Sequence, residues 1–306
     1  MNLTRWMALI VASILIGLSS ARSEAQWSAA PGASDCQLQL QLPSANWIVD
    51  GHGAFDLRPA AGVLDLTLVN DGAAACIVRL DLGTEGEPFG LSFDHNRRVS
   101  YTLIDMTDGI DLTPTTGRTR SDPNRRPITV GPHSQSLVQL EFRSTSDFLG
   151  DGLFSQTLRF EATRLNGEVM ATRNMIIGVR IAPSITLALS GAFKRFQGGA
   201  DVDLGELTSG IAKLPLNLHI QSTRGYRVSA QSASGGRLLM ADGLWSIPYR
   251  IVIGGEVINA NGGSYSNRKL VRMQIEDLAL GFEVGEIRDH RAGIYSDIMT
   301  LEISIE

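Results

Sequence analysis

The sequence predicts an all-β protein made of two tandem antiparallel β-sandwiches, the second short of one strand, and three observations carry that prediction. The stretch from Gly293 to Glu306 (GIYSDIMTLEISIE) places Tyr295, Met299, Leu301, Ile303 and Ile305 on odd positions and Ser296, Thr300, Glu302 and Ser304 on even ones, with Ile298 the exception. A period of two marks a strand with one buried face. The same phrase stands earlier, from Gly152 to Leu165 (GLFSQTLRFEATRL), and aligning Gly152 with Gly293 puts Phe154 on Tyr295, Leu158 on Met299, Phe160 on Leu301 and Ala162 on Ile303. Elsewhere, short apolar runs alternate with Gly, Asn and Ser turns and no helical period is sustained, the pattern of an antiparallel sandwich.

The repeat extends upstream in order. Leu64 to Asn70 (LDLTLVN) matches Leu216 to Ser222 (LNLHIQS), and Val99 to Ile104 (VSYTLI) matches Ile247 to Val252 (IPYRIV). Collinear copies imply two similar domains. The chain has 306 residues, room for two domains of roughly 100 to 200 residues each. The expected division is a signal peptide at 1–25, a first sandwich at 26–182 and a second at 183–306, with Pro183 marking the connection.

Composition fits an exported protein. Hydrophobic residues make up 43% and charged residues 19%, with 32 glycines and a net charge of −5, as suits a turn-rich secreted β protein. An acidic balance argues against nucleic acid as a partner, because phosphate binding needs a positive surface. At the start, Arg5, the apolar run Met7 to Leu18 and the small-x-small site Ser23-Glu24-Ala25 read as a signal peptide, with the mature chain beginning at Gln26. No later run reaches the roughly 18 apolar residues of a spanning helix, so the chain is read as not membrane-spanning.

The only two cysteines, Cys36 and Cys76, lie in the first half. In an oxidising compartment an isolated pair is expected to form a disulfide. Closing a loop of about 40 residues stabilises by roughly 3 to 4 kcal/mol on the chain-entropy account.

Taken in order, Cys36 to Leu42 (CQLQLQL) alternates strictly, and further strands are expected at Leu64 to Val69, Cys76 to Leu82, Val99 to Ile104, Ser136 to Phe142 and Leu153 to Leu165. Asn70-Asp71-Gly72 and Asn166-Gly167 read as turns, the latter closing a hairpin whose return strand runs to about Ile181. The polar stretch between Ile104 and Ile128, carrying Arg118, Arg120, Arg125 and Arg126, reads as an exposed loop. In the second half, strands are expected at Ile185 to Gly191, Val202 to Leu207, Lys213 to Ile220, Tyr226 to Gln231, Arg237 to Met240, Pro248 to Ile253 and Lys269 to Ile275, before the terminal one.

A strand that closes the chain has no following segment to pair with, so one of its edges is either covered by a neighbour or open to another chain. Catalytic signatures are missing from the sequence. Five histidines, at 52, 95, 133, 219 and 290, form no metal-ligand spacing, and no nucleophile elbow or phosphate-binding loop occurs. No cofactor or metal is expected; a hydrolase built on His95 or His290 is the weakest reading.

The glycine, aliphatic, aromatic, Ser-Asp run followed by alternation to the last residue resembles the close of the spore coat protein U domain and of archaic chaperone–usher fimbrial subunits. Asp203 to Leu207 (DLGEL), Gly225 to Leu238 (GYRVSAQSASGGRL) and Ile247 to Tyr249 (IPY) belong to the same ordered set. The resemblance implies Ig-like, pilin-like sandwiches in which a missing strand leaves a groove. A periplasmic chaperone, and then the extension of an adjacent fimbrial subunit delivered at an outer-membrane usher, fills that groove. Carried to this chain, the donor-strand groove is Tyr295, Met299, Leu301, Ile303 and Ile305. The segment before Cys36 is short, broken by Pro31 and Gly32 and poor in alternation, so the chain reads as a strand acceptor and not a donor. That implies a tip adhesin exported through the periplasm to the cell surface, with candidate adhesive loop tips at Phe89, Phe148 and Leu149 for a surface or host receptor. A free-standing secreted coat-type protein with two complete sandwiches is the alternative.

Overall fold

A computed structural model describes residues 36–94, 97–114, 126–196, 198–212, 214–269 and 272–306. The expected signal peptide, His95, Arg118, Arg120 and Arg125 lie outside the described residues. Secondary structure among the described residues is strand and turn throughout, and no helix there is long and apolar enough to cross a membrane.

The first half comprises β1 (Leu38–Gln41), β2 (Asn46–Asp50), β3 (Ala61–Asn70), β4 (Cys76–Gly83), β5 (Leu91–Ser92), β6 (Arg98–Val99), β7 (Tyr101–Asp105), β8 (Ile128–Val130), β9 (Ser134–Ser144), β10 (Gly152–Arg164) and β11 (Val169–Ile181). One sheet has the order β1-β3-β9-β7 and the other β2-β11-β10-β4-β8, with β5 and β6 attached at its margin. Pairing is antiparallel except between β2 and β11, which run parallel. Alternation decides the faces: Leu64, Leu66 and Leu68 of β3 and Leu158, Phe160 and Ala162 of β10 are all buried, and they meet in one core with Phe142. Each large side chain buried in this way stabilises by about 1.5–3 kcal/mol.

Both predicted turns are present. Asn70 accepts from the Gly72 amide at 3.0 Å and donates to Ala74 O at 2.8 Å, and Gly167, at φ +88°, lets its amide reach Arg164 O at 2.9 Å between β10 and β11. Cys36 and Cys76 form the expected disulfide, with Cα atoms 5.2 Å apart, fastening the lead-in to β1 onto β4 of the opposite sheet.

The second half comprises β12 (Ile185–Gly191), β13 (Lys194–Phe196), β14 (Gly199–Asp201), β15 (Gly210–Ile211), β16 (Leu216–Ser222), β17 (Tyr226–Ser232), β18 (Arg237–Met240), β19 (Ser246–Ile253), β20 (Glu256–Asn259), β21 (Asn261–Asn267), β22 (Gln274–Val284), β23 (Tyr295–Ser296) and β24 (Met299–Ile305). Its larger sheet runs β12-β16-β22-β19-β18-β23, its smaller one β21-β17-β24, and β13 and β14 form a separate hairpin. A second core gathers Leu218, Tyr226, Val228 and Ile251.

Strand order repeats between the halves. The run β1-β3-β9-β7 is matched by β12-β16-β22-β19, and β10-β4-β8 by β24-β17-β21. Both matched pairs named in the sequence, β3 with β16 and the Val99–Ile104 region with β19, take corresponding places. The difference is that β11 and β2, which continue the second sheet of the first half beyond β10, have no counterpart beyond β24 among the described residues.

Two expected strands are corrected. Val202 to Leu207 is not a strand: Asp203 Oδ1 accepts from the Gly205 amide at 2.9 Å, and Gly205 sits at φ +69°, a local turn that competes with a ladder. The strand expected at Lys269 to Ile275 begins only at Gln274 and continues to Val284, with Asp277 on its outer side pairing His219 at 2.7 Å.

Contacts pin the halves together around the short connection from Ile181 to Ile185. Arg224 Nη2 meets Asp151 Oδ2 at 2.6 Å. The guanidinium of Arg272 lies 3.9 Å over the Phe93 ring and 3.1 Å from Asp94. Gly150, at φ +94°, passes so close to Arg272 that an added Cβ would sit 2.5 Å from its carbonyl oxygen.

Candidate strand-accepting cleft

β24 is an edge strand, and its ladder runs without a bulge. It pairs with β17 from Met299↔Ser232 to Ile305↔Tyr226. The Ile298 carbonyl accepts from Ala233 N and the Glu306 amide donates to Gly225 O, so the even-numbered residues bond toward β17. In an antiparallel ladder a residue sends its N–H and C=O to the same side. Met299, Leu301, Ile303 and Ile305 therefore aim their backbone donors and acceptors at the other side, where no strand pairs with them among the described residues. The same four side chains are only half-buried.

Beside that edge opens a cleft of about 1190 Å³, lined by Leu187 and Leu189 of β12 on one wall, Met299 and Leu301 of β24 on the other, and Tyr249 and Phe282 deeper in. Tyr295 also lines it, whereas Ile303 and Ile305 do not. Of the expected groove residues, the structure thus brings Tyr295, Met299 and Leu301 to the cleft. Ile303 still packs against the second core, and Ile305 pairs with Tyr226 at the end of the ladder.

A polar anchor sits in the cleft wall. Asp297 accepts from Tyr249 Oη at 2.7 Å, from the Ser234 amide at 3.1 Å, from its neighbour Ile298 N at 2.8 Å and from Ser232 Oγ. Burial alone would raise the Asp297 carboxyl, but the hydrogen bonds from Ser232, Tyr249 and Ser234 outweigh it and hold the group below its ordinary value. Tyr249 is pushed up, first by burial and then by donating to Asp297. The first half carries the same device: Tyr101 Oη donates to Gln156 Oε1 at 2.8 Å, with Gln156 buried. The repeat pairs Tyr101 with Tyr249 and Gln156 with Asp297, a signal present in the sequence alignment but not assigned to the site there. Leu187 and Leu189 were equally missed, because which strand faces β24 depends on topology.

The loop tips are corrected. Phe148 is 6% exposed and packs edge-on to Phe154 with ring centroids 5.0 Å apart. Phe89 is half-buried with its ring 4.8 Å from Tyr101, and Leu149, also half-buried, faces Arg272 and Met273 across a small cleft at the junction of the halves. Each gains more from an aromatic or apolar partner inside than from water, so none is presented at a free tip.

His290 directs Nδ1 to Arg288 O at 2.9 Å and Nε2 to Ser246 O at 3.0 Å, contacts that fix the 285–294 loop. Among the described residues no group of His, Cys, Asp and Glu is placed to hold a metal.

No family model matches the chain, that of the spore coat protein U domain included, and no curated protein matches it. Solved structures with a similar course include the chaperone–tip adhesion subunit pre-assembly complex of archaic chaperone-usher Csu pili from Acinetobacter baumannii, at 11% identity and TM-score 0.48 over 87% of this chain and 100% of that one. The CupB6 tip adhesin from Pseudomonas aeruginosa gives 11% and 0.42 over 89% and 94%. CfaE, the adhesive subunit of CFA/I fimbria of enterotoxigenic Escherichia coli, gives 10% and 0.32 over 89% and 82%.

Proposed function

We propose that the chain is an exported fimbrial subunit that accepts a strand from a partner and stands at the tip of its fibre, with domains divided at 182/183. One observation carries this reading: β24 repeats β10, yet the edge that β11 covers on β10 has no paired strand on β24 among the described residues and borders a cleft lined by aliphatic, aromatic and polar side chains together. An edge of unpaired backbone beside half-buried aliphatic side chains recruits an extended segment, with ladder hydrogen bonds for affinity and alternate side chains for fit. The partners that follow are a periplasmic chaperone, an outer-membrane usher and the adjacent subunit, and the motif set ending in Gly293 to Glu306 favours the same family. The leader expected at 1–25 would carry the chain through the periplasm to the surface.

Amide hydrogen exchange on the full chain tests the acceptor reading. The amides of Met299, Leu301, Ile303 and Ile305 should exchange much faster than those of Thr300, Glu302 and Ser304, and become protected when an extended partner strand binds. Uniform protection along β24 in the isolated chain would mean that its edge is already satisfied.

A further inference from the structure

Among the described residues, the first half displays a covering strand, β11, that has no counterpart on β24. Resting on the acceptor reading, we propose that the segment filling the cleft takes the orientation and register of β11 on β10. It runs antiparallel to β24, with large apolar side chains opposite Tyr295, Asp297 and Met299, and it needs no apolar residue opposite Leu301 or Ile303.

Pairing in the first half supplies the register. Val179 stands opposite Phe154, Ile177 opposite Gln156 and Met175 opposite Leu158, and all three β11 side chains are buried. Farther along, Arg173 opposite Phe160 is exposed and Ala171 opposite Ala162 is half-buried and small. The sequence repeat carries Phe154, Gln156, Leu158, Phe160 and Ala162 onto Tyr295, Asp297, Met299, Leu301 and Ile303. The cleft agrees independently. Its lining includes residues 290–297, Met299, Thr300 and Leu301 but stops short of Ile303 and Ile305. The cleft thus spans all three positions at which the transferred register places large side chains and ends one pair beyond them, at Leu301. The middle anchor rests over the Tyr249–Asp297 hydrogen bond, as Ile177 lies opposite the Gln156 that Tyr101 holds.

The probe is a synthetic peptide with the sequence of Val169–Ile181, added to the unaltered full chain while thermal unfolding of the second half is followed. The peptide should raise that transition by several degrees. Ile177→Lys in the peptide should remove most of the gain, and Ala171→Lys should keep most of it. Register is read covalently: a peptide carrying cysteine at its Met175 position should cross-link to a Met299→Cys chain about tenfold faster than to an Ile303→Cys chain, because only directly opposed side chains meet disulfide distances. Equal losses from both lysine peptides, or faster capture at position 303, overturn the register and leave the acceptor reading standing. If no peptide shifts the transition, the register falls; the acceptor reading falls with it only if β24 is uniformly protected from exchange in the chain alone.

Discussion

β10 and β24 present matching inner faces to matching neighbours, β4 in one half and β17 in the other. On β10, Phe154, Leu158, Phe160 and Ala162 are all buried, whereas Met299, Leu301 and Ile303 on β24 remain half-buried. What separates them is the segment that follows. Asn166-Gly167 turns the chain back as β11 in the first half, and no strand returns along β24 among the described residues. An amphipathic strand therefore states which face wants cover without stating who supplies it. In the first half the supplier is written in the next turn.

The largest effect expected from testing this contrast is a charge placed under the returning strand. Ile177→Lys puts an unpaired ammonium at a fully buried site and should cost about 3–5 kcal/mol, removing the first-half transition in calorimetry. Leu301→Lys, at a half-buried site, should shift the second-half transition by no more than about 1 kcal/mol. Equal costs at both sites would erase the distinction between covered and open strands.

Removing the staple comes next. Replacing Cys36 and Cys76 by serine opens a loop with a sequence separation of 40 and should lower first-half stability by about 3–4 kcal/mol, leaving the second-half transition in place. A matching fall in both transitions would show that the halves unfold as one.

Supplying the missing strand in cis sharpens the comparison from the other side. An Asn-Gly turn followed by a copy of Val169–Ile181, appended after Glu306, should raise the second-half transition by about 10 °C. No rise would mean that β24 does not lack cover.

The smallest effect is the pH response of the cleft anchor. Because the Asp297 carboxyl is held below its ordinary value, its contribution is fully present above the unfolded carboxylate range and fades as pH falls through the lower folded one. Asp297→Asn, which gives the second half a neutral amide as Gln156 does the first, should flatten that acid-side loss in pH-dependent thermal scans. An unchanged slope would remove Asp297 from the account.

Much of this was legible in the residues because strict alternation survives folding. β1, β3, β10 and β12 each show it and each forms where it occurs, whereas the closing run expected as one strand divides at Asp297-Ile298 into β23, paired with β18, and β24, paired with β17. β2 and β21 were not legible. NWIVD follows a proline and buries nothing completely, and NGGSYSN has two glycines and one aromatic residue, so the exposed edge of β17 decides its pairing. Val202 and Leu204 imitated a strand because they pack against the second core from a turn. The cleft was half legible. β24 announced its own inner face, but the opposing wall of Leu187 and Leu189 appears only once β12 is placed across from it. Aromatic residues in turns misled, since sequence cannot show whether a ring folds back onto a neighbour such as Phe154 or Tyr101.

The contacts around Gly150 give the molecule a load path. A tug on β24 travels through β17 and Arg224 to Asp151 at the root of β10. Salt weakens such exposed ion pairs. It does not touch the steric meeting of Gly150 with the Arg272 backbone, so the joint should stiffen or loosen with ionic strength without ever becoming a free swivel.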